Sequence, residues 1–154
     1  MRELLFRGFH PCDGPETIVV DGEKVKGRWV EGSLIHRTSY YGEPCDDYFI
    51  VTGGEFDSDY YDAEKVLPST VGQWTGLTDK NGKRIFEGDT IRLSSYIKQM
   101  FPDAEDGPVK FSRGCFRVGG SFMGLFDVLA DCEGGYVRGE VIGTVFDEEA
   151  QHDN

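Results

Sequence analysis

The chain is 154 residues long, 38% hydrophobic and 13% aromatic, with 28 acidic against 16 basic side chains and a net charge of −12. That length makes one domain the default and allows a real core, and the composition excludes a disordered chain. The negative field repels duplex DNA and anionic membranes, no run approaches about 18 apolar residues, and Leu4-Leu5-Phe6 is too short for a signal-peptide core, so a cytoplasmic protein with no membrane partner is expected.

Residues 1–9 read as a strand, with Arg2, Leu4 and Phe6 alternating imperfectly against Glu3, Leu5 and Arg7. His10-Pro11-Cys12-Asp13-Gly14-Pro15 reads as a breaker. Ile18-Val19-Val20 is β-branched, Asp21-Gly22 is a hairpin signal, and residues 24–30 return as the next strand. Residues 33–37 give another short one. The segment 40–64 is the most biased: between Glu43 and Glu64 there are eight acids and no Lys or Arg, interleaved with Tyr40, Tyr41, Tyr48, Phe49, Phe56, Tyr60 and Tyr61. Residues 48–52 are strand-like, and the remainder reads as a solvated acidic loop. Asp57-Ser58-Asp59-Tyr60-Tyr61-Asp62 invites a calcium reading. A calcium loop needs Gly at its sixth position and oxygen ligands at alternate ones; here Asp62 is sixth and Tyr61 fifth, so no metal site is assigned. An acidic, aromatic surface suits a basic partner or mimics nucleic-acid phosphate.

Residues 70–93 read as strand, turn, strand, turn, strand. Asn81 and Gly82 tolerate positive φ and close the first turn after Asp79. Glu87-Gly88-Asp89 reverses the chain again. Ile91 and Leu93 then alternate with Thr90 and Arg92, the period of a half-buried strand. Trp74, Ile85, Phe86, Ile91 and Leu93 are the expected core. Gly76 and Gly82-Lys83 look faintly like a phosphate loop. The glycines are one residue too far apart, Arg84 stands where Ser or Thr would hold magnesium, and a strand follows where a helix should.

The run TVGQWTGLTDKNGKRIFEGD, residues 70–89, closely resembles the signature of the YopX-like proteins, small proteins of phages and prophages. The opening MRELLFR and the late strand EVIGTVFD, residues 140–147, resemble the same family. Gly8-Phe9 departs from the Ala-Trp often found there, and the family's usual ending is replaced by Asp147-Glu148-Glu149-Ala150-Gln151. The resemblance implies a mostly β fold and a mobile-element origin. It implies no established activity, so no catalytic residue is carried over.

After Leu93, residues 94–101 read as a loop or one helical turn. Residues 102–108 hold three acids between two prolines and form a breaker. Residues 109–118 read as strand–turn–strand around Arg113-Gly114, with Phe111, Phe116 and Val118 as core. The apolar run 122–130 is too short for its period to separate helix from buried strand. Glu133-Gly134-Gly135 turns the chain, Tyr136-Val137 begins the next piece, and residues 140–146 form a closing strand. The tail 147–154 is charged and expected to fray.

The expected fold is mostly β with little helix: an SH3-like small barrel in the C-terminal half, with an N-terminal β layer packed against it. One domain spans 1–154, divided into 1–66, 67–147 and a tail at 148–154. Cys12, Cys45, Cys115 and Cys132 form no CxxC motif and read as half-buried small apolar residues in a reducing compartment. His10, His36 and His152 are scattered. No catalytic, cofactor-binding or metal residue is assigned, and Arg92 reads as an exposed cross-strand partner for an acid. Three functions remain open. The first is a non-catalytic module binding a host or phage protein, or itself as a homo-oligomer. The second is a nucleic-acid-associated small barrel: residues 71–100 carry 5 basic and 3 acidic side chains, a local exception to the overall charge. The third is a metal-dependent enzyme using the acidic segment.

Overall fold

A computed structural model describes residues 3–54, 61–119 and 138–148. The chain divides into two compact units, 1–73 and 74–154. Among the described residues, no helix is long and apolar enough to cross a membrane.

The first unit contains β1 (Phe6–Val20), β2 (Glu23–Tyr40), β3 (Glu43–Gly54) and β4 (Tyr61–Val66), all antiparallel to their neighbours in the order β4-β3-β2-β1. Here β2 is one strand where the sequence suggested two. Its first half pairs with β1 up to Gly32, opposite Phe6; its second half pairs with β3 from Ser33, opposite Val51. Gly32 marks the exchange because a Cβ there would lie 1.9 Å from the Val51 carbonyl oxygen. The expected breaker at 10–15 does not end β1. Its ladder passes from Pro11 to Glu16, both opposite Gly27, and residues 12–15 leave the pairing as a bulge whose Gly14 lies against the Gly27 carbonyl.

β4 closes back on β1. The Phe9 carbonyl accepts from Leu67 N at 2.9 Å, Thr70 Oγ1 accepts from Phe9 N at 3.0 Å, and Val66 fills the space in front of Gly8. A short 3-10 turn, Pro68–Thr70, carries this junction. Val30, Ile50 and Val66 are buried together between the folded-over strands, with Phe6, Leu34, Tyr48 and Val71 packed on them.

β5 (Gly72–Thr78) begins in the first unit, where Gly72 and Gln73 pair with Arg7 and Phe6. In the second unit its Trp74 and Thr78 face Phe86 and Arg84 of β6 (Arg84–Phe86). β7 (Asp89–Leu93), helix α1 (Ser95–Met100), β8 (Gly107–Ser112), β9 (Cys115–Val118) and β10 (Gly139–Thr144) follow. The alternation read in 90–93 holds: Ile91 and Leu93 are buried while Arg92 is exposed. Of the loop or helical turn expected at 94–101, a short helix forms, capped by Ser94, whose Oγ accepts from Ile97 N. Ile85, Ile91, Leu93, Ile97, Val109 and Val118 form the core. Trp74 is only half-buried, with Arg84 over its ring, and Phe111 is exposed on β8, leaning on Phe116.

A closed SH3-like barrel is not what forms. β7 to β10 make an open sheet in the order β10-β7-β8-β9, and among the described residues its outer strands, β10 and β9, do not pair. The final strand is also less regular than its alternation suggested. Ile142 bulges out of the β10–β7 ladder and is exposed. Asp147, expected to fray, is fastened: its carboxylate accepts from Thr144 N and Thr144 Oγ1, both at 2.9 Å. Residues 122–130, 133–137 and 149–154 lie outside the described residues.

Candidate interaction site

Three hairpins of this chain turn on the same two-residue geometry. Asp21-Gly22 (φ 52° and 81°), Tyr41-Gly42 (49° and 84°) and Arg113-Gly114 (51° and 82°) all place both residues in the left-handed region. That is the type I′ turn, whose twist matches the strands it joins. Asp suits its first position because a short polar side chain tolerates the conformation; a tyrosine there is a steric outlier. Tyr41 is nevertheless 90% exposed, so no burial compensates for it.

The turn caps a two-stranded ribbon. β1 stops opposite Gly32 and β4 reaches β3 only from Tyr48, so residues 37–47 pair with each other alone among the described residues. Tyr40 and Tyr41 meet edge to face at 4.4 Å. The Arg37 guanidinium lies 4.5 Å from the Tyr40 ring centre and 4.9 Å from that of Phe49. Across the ribbon Arg37 Nη2 donates to Asp47 at 2.8 Å, and Lys65 Nζ of β4 reaches the same carboxylate at 3.1 Å. The Arg37 hydrogen bond and then Lys65 hold the Asp47 carboxyl below its ordinary range, and Asp47 in turn raises Arg37. On the other face His36 stacks on Tyr48 with centroids 4.2 Å apart and bonds to Asp46.

Where described, the acidic segment lies on β3 and β4, and Asp46, Asp47 and Glu64 meet cations or histidines of β1, β2 and β4. Glu64 takes Arg28 at 2.6 Å and His10 Nε2 at 3.1 Å, and the Lys65 carbonyl accepts from His10 Nδ1 at 2.6 Å. Beside this junction a cleft of about 480 Å³ is lined by His10, Asp46, Tyr48, Lys65, Leu67 and Pro68. Its walls are largely apolar; Lys65 meets Asp47 within it, while Asp46 bonds to His36 and His10 to Glu64 beside it.

Of the residues considered for calcium, Asp57 and Asp59 lie outside the described residues. Asp62 sits at the start of β4, its carbonyl accepting from Thr52. Among the described residues, no three His, Cys, Asp or Glu side chains gather as a metal set. Cys12, Cys45 and Cys115 are free and half-buried; Cys132 and His152 lie outside the described residues. Arg92 faces Glu140 directly across the β7–β10 ladder, Nη1 to Oε1 3.2 Å, as read from the sequence. Glu140 also takes Lys80, and Asp106 takes Lys98, so much of the locally basic charge of 71–100 is met by acids.

Two buried acids escaped sequence reasoning. Asp79 is 1% exposed and accepts from Asn81 N and Lys83 N through Oδ1 and from Val141 N through Oδ2. Asp89 is fully buried and accepts from Phe86 N at 2.8 Å. Both begin or end a tight turn with Gly nearby, the setting in which an Asp side chain caps its own backbone. These are scaffold carboxylates, aimed at backbone amides.

A family model described as YopX protein matches residues 23–150. No curated protein and no solved structure matches the chain.

Proposed function

The chain belongs to the YopX family, and we propose that it is a phage- or prophage-encoded accessory protein that works as a non-catalytic protein-binding or self-assembly module. The observation that carries this reading is Tyr41: a bulky side chain in a left-handed turn position, 90% exposed, at the tip of the ribbon. Strain retained at an exposed site points to use of the side chain by something outside the fold. Tyr40 at 53% exposure and Ile35 at 45% extend the patch, and the cationic Arg37 supports it from beneath. Aromatic residues with an arginine are the side chains over-represented at protein contacts.

The carboxylates support the non-catalytic half of the proposal. Glu64, Asp46, Asp47, Asp79 and Asp106 each bind a cation, a histidine or a backbone amide. The nucleic-acid reading gains less support, since Lys80, Arg92 and Lys98 already face acids.

The test is light scattering over a concentration range, combined with capture from host lysate using a Tyr40→Ser/Tyr41→Asn double variant as the control. Self-association or a captured protein that the double variant loses is expected. A strict monomer that captures nothing, or a capture indifferent to both tyrosines, overturns the proposal.

A further inference from the structure

Two strand arginines of this chain face acids. Arg37 stands directly opposite Asp47 across β2 and β3, and Arg92 opposite Glu140 across β7 and β10. The β8–β9 hairpin does the reverse: Lys110 stands opposite Arg117, a like-charge pair that destabilises the ladder. Among the described residues neither side chain forms an ion pair; Arg117 Nε donates to the Ser112 carbonyl at 3.3 Å. Arg113 at the turn is exposed and left-handed, with φ 51°. Residues 109–118 thus hold three cations and no acid in a chain of net charge −12.

The ribbon tip has the same kind of turn and the opposite sign. Tyr41 sits there at φ 49°. Tyr40 and Glu43 are cross-strand neighbours, both exposed, and among the described residues Glu43 meets no cation. Residues 38–47 hold three acids and no Lys or Arg, and Arg37 just before them is tied to Asp47.

We propose that the ribbon tip of one copy docks head to tail on the β8–β9 hairpin of a second copy. The inference rests on the self-assembly reading above and names both of its surfaces. Glu43 supplies the carboxylate that Lys110 and Arg117 lack. The Tyr40 ring covers the same cationic face, and Tyr41 meets the Arg113 guanidinium. The occupant is another copy because one chain carries both halves: an acidic aromatic tip and a cationic one, each holding a bulky exposed residue in the left-handed region. Repulsion between two acidic chains is screened beyond about 8 Å at physiological salt, so the facing patches decide the sign. The two surfaces differ, so the contact is heterologous and one copy can serve two neighbours.

The experiment is sedimentation equilibrium on two variants, apart and mixed. Lys110→Ser/Arg117→Ser removes the cationic face together with its repulsion, so the hairpin keeps its fold. Tyr40→Ser/Tyr41→Asn removes the ribbon tip. Each variant alone should self-associate roughly tenfold more weakly than the wild-type chain. Their equimolar mixture should form a complex that stops at two copies, because only one intact contact can be made. Self-association of the hairpin variant at wild-type strength overturns the docking and leaves the tyrosines as a self-complementary surface. Loss in both variants with no complex on mixing overturns the head-to-tail arrangement. A wild-type chain that stays monomeric at every concentration also overturns the inference, and partner capture then decides the broader proposal.

Discussion

Replacing Tyr41 with Asn should make the protein more stable and less associating. The φ of 49° at Tyr41 is a conformation that costs an ordinary L-residue roughly 1–2 kcal/mol and Asn much less. Against this gain stands the loss of the Tyr40–Tyr41 contact, which at an exposed position contributes at most about 0.5 kcal/mol. Tyr41 buries almost nothing, so no hydrophobic loss enters. The net is a stabilisation of about 0.5–1 kcal/mol, or about 2–3 °C in Tm for a chain this long. The assay is urea unfolding at low protein concentration, where mass action from a dimer is suppressed. The midpoint should rise with an unchanged slope. Asp21→Tyr, placed in the equivalent turn (φ 52°), should lose a similar amount. A lower midpoint for Tyr41→Asn, or no loss for Asp21→Tyr, would refute the reasoning, since the left-handed position would then carry no penalty.

Asp79→Ala should cost the second unit roughly 2–3 kcal/mol, because three partly buried backbone amides lose their acceptor. Faster hydrogen exchange at Asn81, Lys83 and Val141 would localise the effect, and unchanged exchange there would contradict it. Gly32→Ala should cost about 2–3 kcal/mol, since a Cβ there meets backbone rather than a yielding side chain; an unchanged unfolding midpoint would show that β2 does not need its glycine. Acid should destabilise the fold in a defined window. Burial raises Asp106, but Leu93 N and Lys98 outweigh it, and Asp47 is lowered by Arg37 and Lys65. Both native carboxyls therefore hold a charge that the unfolded chain gives up first. Their contribution is complete above the unfolded value near ~4 and is lost as pH falls through the lower native values. Asp47→Asn and Asp106→Asn should each flatten the decline of Tm below about pH 4, and a decline as steep as wild type in both would remove these groups as its cause.

The parts of the fold legible in the sequence were those written locally. Asp21-Gly22, Asn81-Gly82 and Arg113-Gly114 announce their turns by residue type, and the period-two pattern of 90–93 announces its buried face. Tyr41-Gly42 went unread although, like Arg113-Gly114, it sets a residue that does not choose positive φ before a glycine; its place inside an aromatic, acidic run hid the turn. The acids of 43–64 looked like a solvated loop because the cations that meet Asp47 and Glu64, Arg28 and Arg37 of β2 and Lys65 of β4, are brought to them only by strand pairing. The proline-rich run at 10–15 looked like an end because composition does not distinguish a terminated strand from one that lets four residues step aside. Barrel closure was over-read for a related reason. Alternation tells which face of β10 is inward, yet its neighbour is fixed by the register against β7, a long-range property.

Asp79 and the amide of Val141 are 62 positions apart, which gives the molecule an order of assembly. Hairpins joined by two-residue turns can zip up quickly in either unit, and the first unit has a long closure of its own, Thr70 Oγ1 to Phe9 N, 61 positions apart. The anchor at Asp79 forms only after a much longer loop has closed, and that closure is entropically uphill until its reward arrives. Until then the carboxylate stays hydrated and its turn half-tied. Each unit thus combines local hairpins with a closure of some sixty positions, and in the second unit that closure is the joining of β10 to the 79–83 turn.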